Sequence, residues 1–320
     1  MTTNFKQLAE QYKHELLDKV VPFWLDKSQD TQHGGDFTCL ERDGSVFDTD
    51  KFVWLQGREV WMFATLYNKV EKRQEWLDCA IQGAEFLKKH GHDGHLNWYF
   101  ALDREGHPLV EPYNIFSYTF AVIAFGQLSL ATGNKEYADI AKRTFDIVLS
   151  KVDNPKGKWN KAAPGARALK SFALPMILCN VALEIEPLLD PDFMRRTIDT
   201  CIHEVMDVFY RPELGLIVEH LGTDGQLVDC FDGRLLNPGH AIAKAVHKVE
   251  HAAAYSTLWT ALVAPASSSS GTKNCGGYTS KHSSPCSRAI SSRATPSASN
   301  GSSVCTNTCG ATLPTPNTPT

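Results

Sequence analysis

The sequence predicts an all-α fold of stacked helix pairs decorated with short β-hairpins. Three observations predict it. Apolar residues at helical spacing dominate residues 1–252. Short turns of the Asp-Gly and Glu-Gly kind, flanked by extended apolar pairs, interrupt that pattern. These turns recur at a nearly constant interval.

Taken in order, residues 4–25 read as one amphipathic helix with Phe5, Leu8, Tyr12, Leu16 and Val20 on its apolar face. The segment GGDFTCLERDGSVFD follows as a hairpin turning at Asp43-Gly44, where a glycine supplies the positive φ of the turn. Helices are expected over 51–71 and 75–90, then a second hairpin, HLNWYFALDREGHPLVE, turning at Glu105-Gly106. Helices over 113–132 and 136–151 come next, then a weaker turn signal, NPKGKWN, at 154–160. Helices over 169–186 and 190–209 lead to a third hairpin, GLIVEHLGTDGQLVDC, turning at Asp224-Gly225. Gly44 and Gly106 lie 62 residues apart, and Gly106 and Gly225 lie 119 apart, nearly twice that. The repeating unit is therefore two helices and a hairpin. Such a unit cannot cover both faces of its helices alone and must stack on its neighbours. A closed ring of six units would take roughly 360 residues at this period. An open solenoid of four units fits the spacing equally well.

Composition excludes several classes of function. The 320 residues carry a net charge of −4 with no basic stripe, which argues against a nucleic-acid protein. No apolar run is long enough to cross a membrane, and the first residues, MTTNFKQLAEQYKHELL, lack the apolar core of a signal peptide. Cys39, Cys79, Cys179, Cys201 and Cys230 are scattered with no CxxC pair, as expected of reduced cytoplasmic thiols. The averages also hide a break. All 36 acidic residues fall within residues 1–252, whereas 253–320 hold none but contain 15 Ser and 11 Thr.

Two segments can carry chemistry. In Phe52-Val53-Trp54-Leu55-Gln56-Gly57-Arg58, an Arg and a Gln stand in an apolar helix start, with Trp54 and Trp61 at helical spacing from Arg58. A guanidinium on an aromatic face suits sugars and oxyanions; a solvated surface Arg is the plainer alternative. In Phe231-Asp232-Gly233-Arg234-Leu235-Leu236-Asn237-Pro238-Gly239-His240, a turn precedes a helix start. His240 then falls in a first helical turn, where the helix dipole favours the neutral imidazole that a general base requires. A structural His beside a turn is again the plainer alternative.

The segments HGGDFTCLERDGSVFD, KFVWLQGREVWM and FDGRLLNPGHAI together resemble the N-acylglucosamine 2-epimerase (renin-binding protein) family over about residues 5–242. The resemblance implies an (α/α)6 barrel, incomplete here, with the site at one mouth. It implies reversible conversion of N-acetylglucosamine and N-acetylmannosamine in a cytoplasmic homodimer. It requires no cofactor, and it allows ATP as an allosteric effector. It places the family's Arg at Arg58 and its first catalytic His at His240. Related sugar isomerases carry an N-x-H-M-H motif; the comparable stretch, Ala173-Leu174-Pro175-Met176-Ile177, lacks both histidines, which favours the acylhexosamine branch. The expected site is thus Arg58 and His240 as catalytic groups, with Trp54, Gln56, Trp61 and Asn237 on the substrate and no metal. Epimerisation at C2 needs a proton-handling group on each face of that carbon. The family's second His lies in an F-H-V-P-R motif that this sequence lacks. Another sugar isomerase on the same barrel, or a non-catalytic sugar- or protein-binding module, remains the alternative reading.

The stretch 253–320 reads as the right gene in the wrong frame. Back-translation of residues 270–279, read one nucleotide earlier, allows E-W-D-Q-K-L-W-W-V-H, which resembles the family's Q-L-E-W-x-x-K-L-W-W-x-H. Residues 309–318 in the same frame allow W-R-H-F-A-D-P-E-H, which resembles the family's Y-x-W-x-x-F-x-D-P-E-[YH]-G. The interval between His240 and the shifted segment is about 30 residues, less than one repeat, so a stretch is also missing there. Cys275, Cys286, Cys305 and Cys309 are accidental on this reading. The expectation is a barrel domain over 1–252, a Ser/Thr/Pro-rich tail over 253–320, and no turnover in the chain as it stands.

Overall fold

The computed structural model describes residues 4–112, 114–152, 165–237 and 239–240. The chain divides into two compact units, Met1–Tyr278 and Thr279–Thr320, and every described residue belongs to the first. The NPKGKWN turn and the expected boundary at 252/253 lie outside the described residues.

The helices are α1 (Phe5–Glu15), α2 (Val21–Lys27), α3 (Val53–Lys69), α4 (Gln74–His90), α5 (Phe116–Thr132), α6 (Lys135–Ser150), α7 (Ala173–Glu184) and α8 (Pro191–His203). A single π turn, Leu16–Val20, joins α1 to α2, so the expected first helix is one rod with a wider turn in its middle. Two kinds of helix alternate. Every residue of α5 from Ser117 to Ser129 is buried, as in a helix enclosed on all sides. Its successor α6 buries only the stripe Tyr137, Ile140, Ala141, Thr144, Phe145 and Val148, at the spacing of one helical face. Likewise α3 and α7 are mostly buried, while α4 and α8 turn polar faces to solvent. Thus α3, α5 and α7 form an inner row, with α4, α6 and α8 outside it. Gly57 allows the closest approach in that row: a Cβ there would lie 2.9 Å from the Phe120 carbonyl carbon of α5. Deeper in, Glu184 ties the row together by accepting from the Trp61 indole N–H at 3.0 Å and from Gln127 Nε2 at 3.1 Å.

Each crossing from an outer helix to the next inner helix carries short strands. These are β1 (Cys39–Leu40), β2 (Val46–Asp48), β3 (Lys51–Phe52), β4 (Ala101–Leu102), β5 (Pro108–Val110), β6 (Leu169–Ser171), β7 (Tyr210–Arg211), β8 (Leu216–Ile217) and β9 (His220–Gly222). The first two hairpins form as expected, with φ of 88° at Gly44 and 97° at Gly106. The third forms its turn, with φ of 78° at Gly225 and the Gly222 N–H donating across it to the Gln226 carbonyl at 2.9 Å, but its strands pair elsewhere: Leu216–Ile217 with Tyr210–Arg211, and His220–Gly222 with Leu169–Ser171. The expected helix start at 169 is therefore strand, because those three residues find an edge to pair with. All these strands sit at one end of the inner row, where α3, α5 and α7 begin. That end is the mouth of an (α/α)6-type barrel, of which the described residues supply three inner helices.

A buried charge cluster fastens the mouth. The Lys51 ammonium, fully buried, donates to Asp30 Oδ2 at 3.0 Å and to the carbonyls of Gly34 at 2.6 Å and Arg104 at 2.9 Å. Arg104 donates to both oxygens of Asp30. Burial alone would raise the Asp30 carboxyl, but the hydrogen bonds from Arg104 and Lys51 outweigh it and hold it well below the usual carboxylate range.

Candidate active site

Arg58 projects from the second turn of α3 between two aromatic rings. Its guanidinium carbon lies 5.4 Å from the Trp54 ring and 5.1 Å from the Phe120 ring of α5. It makes no hydrogen bond or ion pair among the described residues. Burial alone pushes it down, to about 10, so it keeps its charge at neutral pH. A half-buried cation held by ring faces, with no carboxylate paired to it among the described residues, leaves its planar donors free for an anionic oxygen.

The residues expected beside Arg58 separate into two groups. Trp54 is half-buried and stacks at the mouth, as spacing suggested. Trp61 points away from the mouth toward the far end of α7, where Glu184 holds it, and Phe120 of the neighbouring helix completes the aromatic clamp instead. Gln56 is fully buried: its Oε1 accepts from the Asp36 backbone N–H at 2.8 Å and its Nε2 donates to the Asp36 carbonyl at 2.6 Å. With both ends engaged, it anchors the loop before β1, so as it stands neither Gln56 nor Trp61 presents a free polar group to a ligand.

His240 lies at the same mouth, with its ring centroid 6.4 Å from that of Phe172, the residue just ahead of α7. Helical backbone begins at Gly239–His240. Asn237 is exposed, and its Oδ1 accepts from the His240 backbone N–H in a long contact of 3.5 Å, so it caps the turn that carries the imidazole. His240 Nδ1 lies 2.9 Å from Glu219 Oε2. Glu219 is 4% exposed, sits directly before β9, and accepts from the Phe172 N–H through its backbone carbonyl. Sequence reasoning missed this residue. The available signal was an acidic side chain inside the apolar run Leu216-Ile217-Val218-Glu219, where an unpaired carboxylate is costly.

Among the described residues no group of three or more His, Cys, Asp or Glu side chains could hold a metal ion, and no helix is long and apolar enough to cross a membrane. The five described cysteines form no disulfide.

A family model described as N-acylglucosamine 2-epimerase matches residues 35–253. The chain is 38% identical over 236 residues to the N-acylglucosamine 2-epimerase of Bos taurus, covering 71% of this chain and 55% of that protein. It is 32% identical to the Homo sapiens protein of the same name over 243 residues, covering 73% and 56%. This chain therefore spans little more than half the length of these relatives. Among solved structures, the cellobiose 2-epimerase from Bacillus thermoamylovorans superposes with a TM-score of 0.62 at 17% identity, over 70% of this chain and 61% of that one. A D-mannose isomerase superposes with a TM-score of 0.61, also at 17% identity, over 78% and 68%. With inner and outer helix rows, an Arg58 clamp and a carboxylate-held His240 at one mouth, and this match over most of its length, the chain belongs to the N-acylglucosamine 2-epimerase family.

Proposed function

We propose that this chain carries the mouth of an isomerase that interconverts N-acetylglucosamine and N-acetylmannosamine by moving the proton on C2. The observation that supports this reading is the half-buried Arg58 guanidinium, clamped by Trp54 and Phe120 and unpaired among the described residues, at the mouth that also holds His240. In the open-chain sugar the C2 proton is acidified by the neighbouring aldehyde. His240 takes that proton from one face, the C–H electron pair moves into the C1–C2 bond, and the carbonyl oxygen becomes an anion. Arg58 meets the anion as its charge develops, where a preplaced donor counts most. Trp54 and Phe120 shape the apolar wall, and Asn237 keeps the His240 turn in place. Return of the proton to the opposite face, which completes epimerisation, needs a second acid–base group there. The amino-sugar branch is favoured over other sugar isomerases because the two mammalian relatives named above carry that name, and because residues 173–177 lack the paired histidines of the isomerase motif. The same reading takes the intact protein to be a cytoplasmic homodimer open to ATP as an effector; sedimentation and assays with and without ATP test those points.

The test is solvent exchange. In D2O, the chain is expected to incorporate deuterium at C2 of one acylhexosamine epimer, seen by NMR, and to leave mannose unlabelled. Labelling of mannose with equal ease, or of neither sugar, would overturn this reading.

A further inference from the structure

We propose that Glu219 is the positioning residue that makes His240 a base, by holding the imidazole in the tautomer whose free nitrogen faces the mouth; this rests on the function proposed above.

The geometry carries the inference. Glu219 is nearly excluded from solvent, yet among the described residues its carboxylate meets no Lys or Arg, and His240 Nδ1 at 2.9 Å is its one side-chain partner. An ionised carboxylate can only accept hydrogen bonds. In neutral His240 the proton must therefore sit on Nδ1 and be donated to Glu219 Oε2. The other ring nitrogen, Nε2, is then left with its lone pair. Were the proton on Nε2, two acceptors would face each other at 2.9 Å in a buried place, a repulsive arrangement. The imidazole keeps 30% of its side-chain surface while Glu219 keeps 6%, so the ring stays accessible while its carboxylate partner does not. When Nε2 takes the C2 proton, the ring becomes an imidazolium donating to Glu219, and the buried carboxylate offsets the new charge. When the proton is returned, the pair reverts to its starting state.

The backbone keeps this contact in register. Glu219 ends the link between β8 and β9, its carbonyl is fixed by the Phe172 N–H at 2.9 Å, and Ser171 pairs with His220. The carboxylate is thus mounted on the strand pair that leads into α7, and Phe172 also faces the His240 ring. Residues 172, 219 and 240 are thereby brought together around one imidazole ring.

The experiment uses the full chain labelled with 15N-histidine. Long-range 1H–15N spectra of neutral His240 are expected to show a protonated Nδ1 and an unprotonated Nε2. In Glu219→Gln, whose amide can donate to Nδ1, the Nε2–H form is expected to grow at the expense of the first. Glu219→Asp keeps the charge and is expected to retain the wild-type tautomer. In the exchange assay, Glu219→Gln should lower kcat by roughly 10²–10⁴-fold, the worth of a well-placed general base, with KM little changed. A wild-type His240 protonated on Nε2, or a tautomer ratio unmoved by Glu219→Gln in a chain of unchanged circular dichroism, would overturn the proposal. Because the spectra need no substrate, they stand apart from the function reading, which the wild-type exchange assay decides.

Discussion

At the scale of single residues, Arg58 and His240 play unequal parts. A lysine in place of Arg58 keeps a positive charge but loses the planar fork that two oxygen lone pairs can share. Arg58→Lys is expected to lower kcat for C2 exchange about 100-fold, in the range of a lost oxyanion donor, with a smaller change in KM. A change in KM alone would make Arg58 a uniform binding group. His240→Ala should stop exchange from the epimer whose C2 proton faces it; persistence of that exchange would remove His240 from the role. A third prediction concerns stability. Asp36 is fully buried, neither of its carboxylate oxygens has a hydrogen-bond partner among the described residues, and burial pushes its pKa up to about 7. In the unfolded chain an Asp titrates at about 3.9, so between about pH 4 and 7 the folded state binds the extra proton. Stability from this group is full below about pH 4, falls as pH rises toward 7, and is flat above that. Asp36→Asn should therefore unfold like the wild type in urea at pH 4 and resist urea better at pH 8; equal midpoints at pH 8 would show that the Asp36 carboxylate is solvated. Arg58, His240 and Trp54 stand out in the sequence because each sits in a short string with an unusual mixture of types, and the structure places Arg58 against the Trp54 ring. Trp61 and Gln56 were misplaced because helical spacing tells which residues share a face and not which neighbouring helix that face meets. Phe120 carried no sequence signal because it reaches the site only through tertiary packing, and Glu219 carried only an acid in an apolar run, which does not name His240 as its partner.

At the scale of elements, the helices were almost fully legible because their apolar period is strong. The expected segments 51–71, 75–90 and 136–151 match Val53–Lys69, Gln74–His90 and Lys135–Ser150 within a few residues. Strand partners were less legible. A two-residue strand carries too little pattern to name its partner, so the third expected hairpin gave its strands to Tyr210–Arg211 and Leu169–Ser171 instead. The packing of α3 on α5 yields a further prediction. Gly→Ala within a helix ordinarily stabilises by about 1 kcal/mol. At Gly57 the added methyl would sit 2.9 Å from the Phe120 carbonyl carbon and 3.0 Å from its oxygen, and backbone atoms cannot rotate aside. Overpacking of this kind costs roughly 1–3 kcal/mol and wins. Gly57→Ala should lower the urea midpoint and, by moving Phe120 away from Arg58, weaken exchange as well. A variant as stable as the wild type would show that the inner row yields at this contact.

At the scale of the whole molecule, the described residues supply three inner helices, half of what a six-pair ring requires, and the chain spans 55% of the length of its Bos taurus relative. In a ring each helix pair is covered by the next, so an open ring presents apolar faces at both of its edges. Those faces are present. On α1, Phe5 and Tyr12 are 79% and 69% exposed, and no residue of that helix is buried although its apolar residues share one face. At the other edge Phe231 is 80% exposed, beside Leu235 and Leu236, which are also exposed. Patches of this kind on a monomer promote association. Between the edges the core is continuous from Leu17 on the first rod to Ile185 just beyond α7 and Cys201 of α8, so the described helices share one core that holds them together. The chain of 320 residues is therefore expected to keep its helical circular dichroism while sedimenting as a concentration-dependent mixture of species. Charged substitutions at Phe5 and Tyr12 should shift that mixture toward monomer, because they remove the apolar face without touching the core. Net epimerisation should be absent even where C2 exchange is seen: exchange requires one base on one face, whereas inversion requires a second group on the other. A monodisperse monomer that converts N-acetylglucosamine to N-acetylmannosamine would show that the described half of the ring is complete in itself, and would sink both the open-edge account and the requirement for two bases.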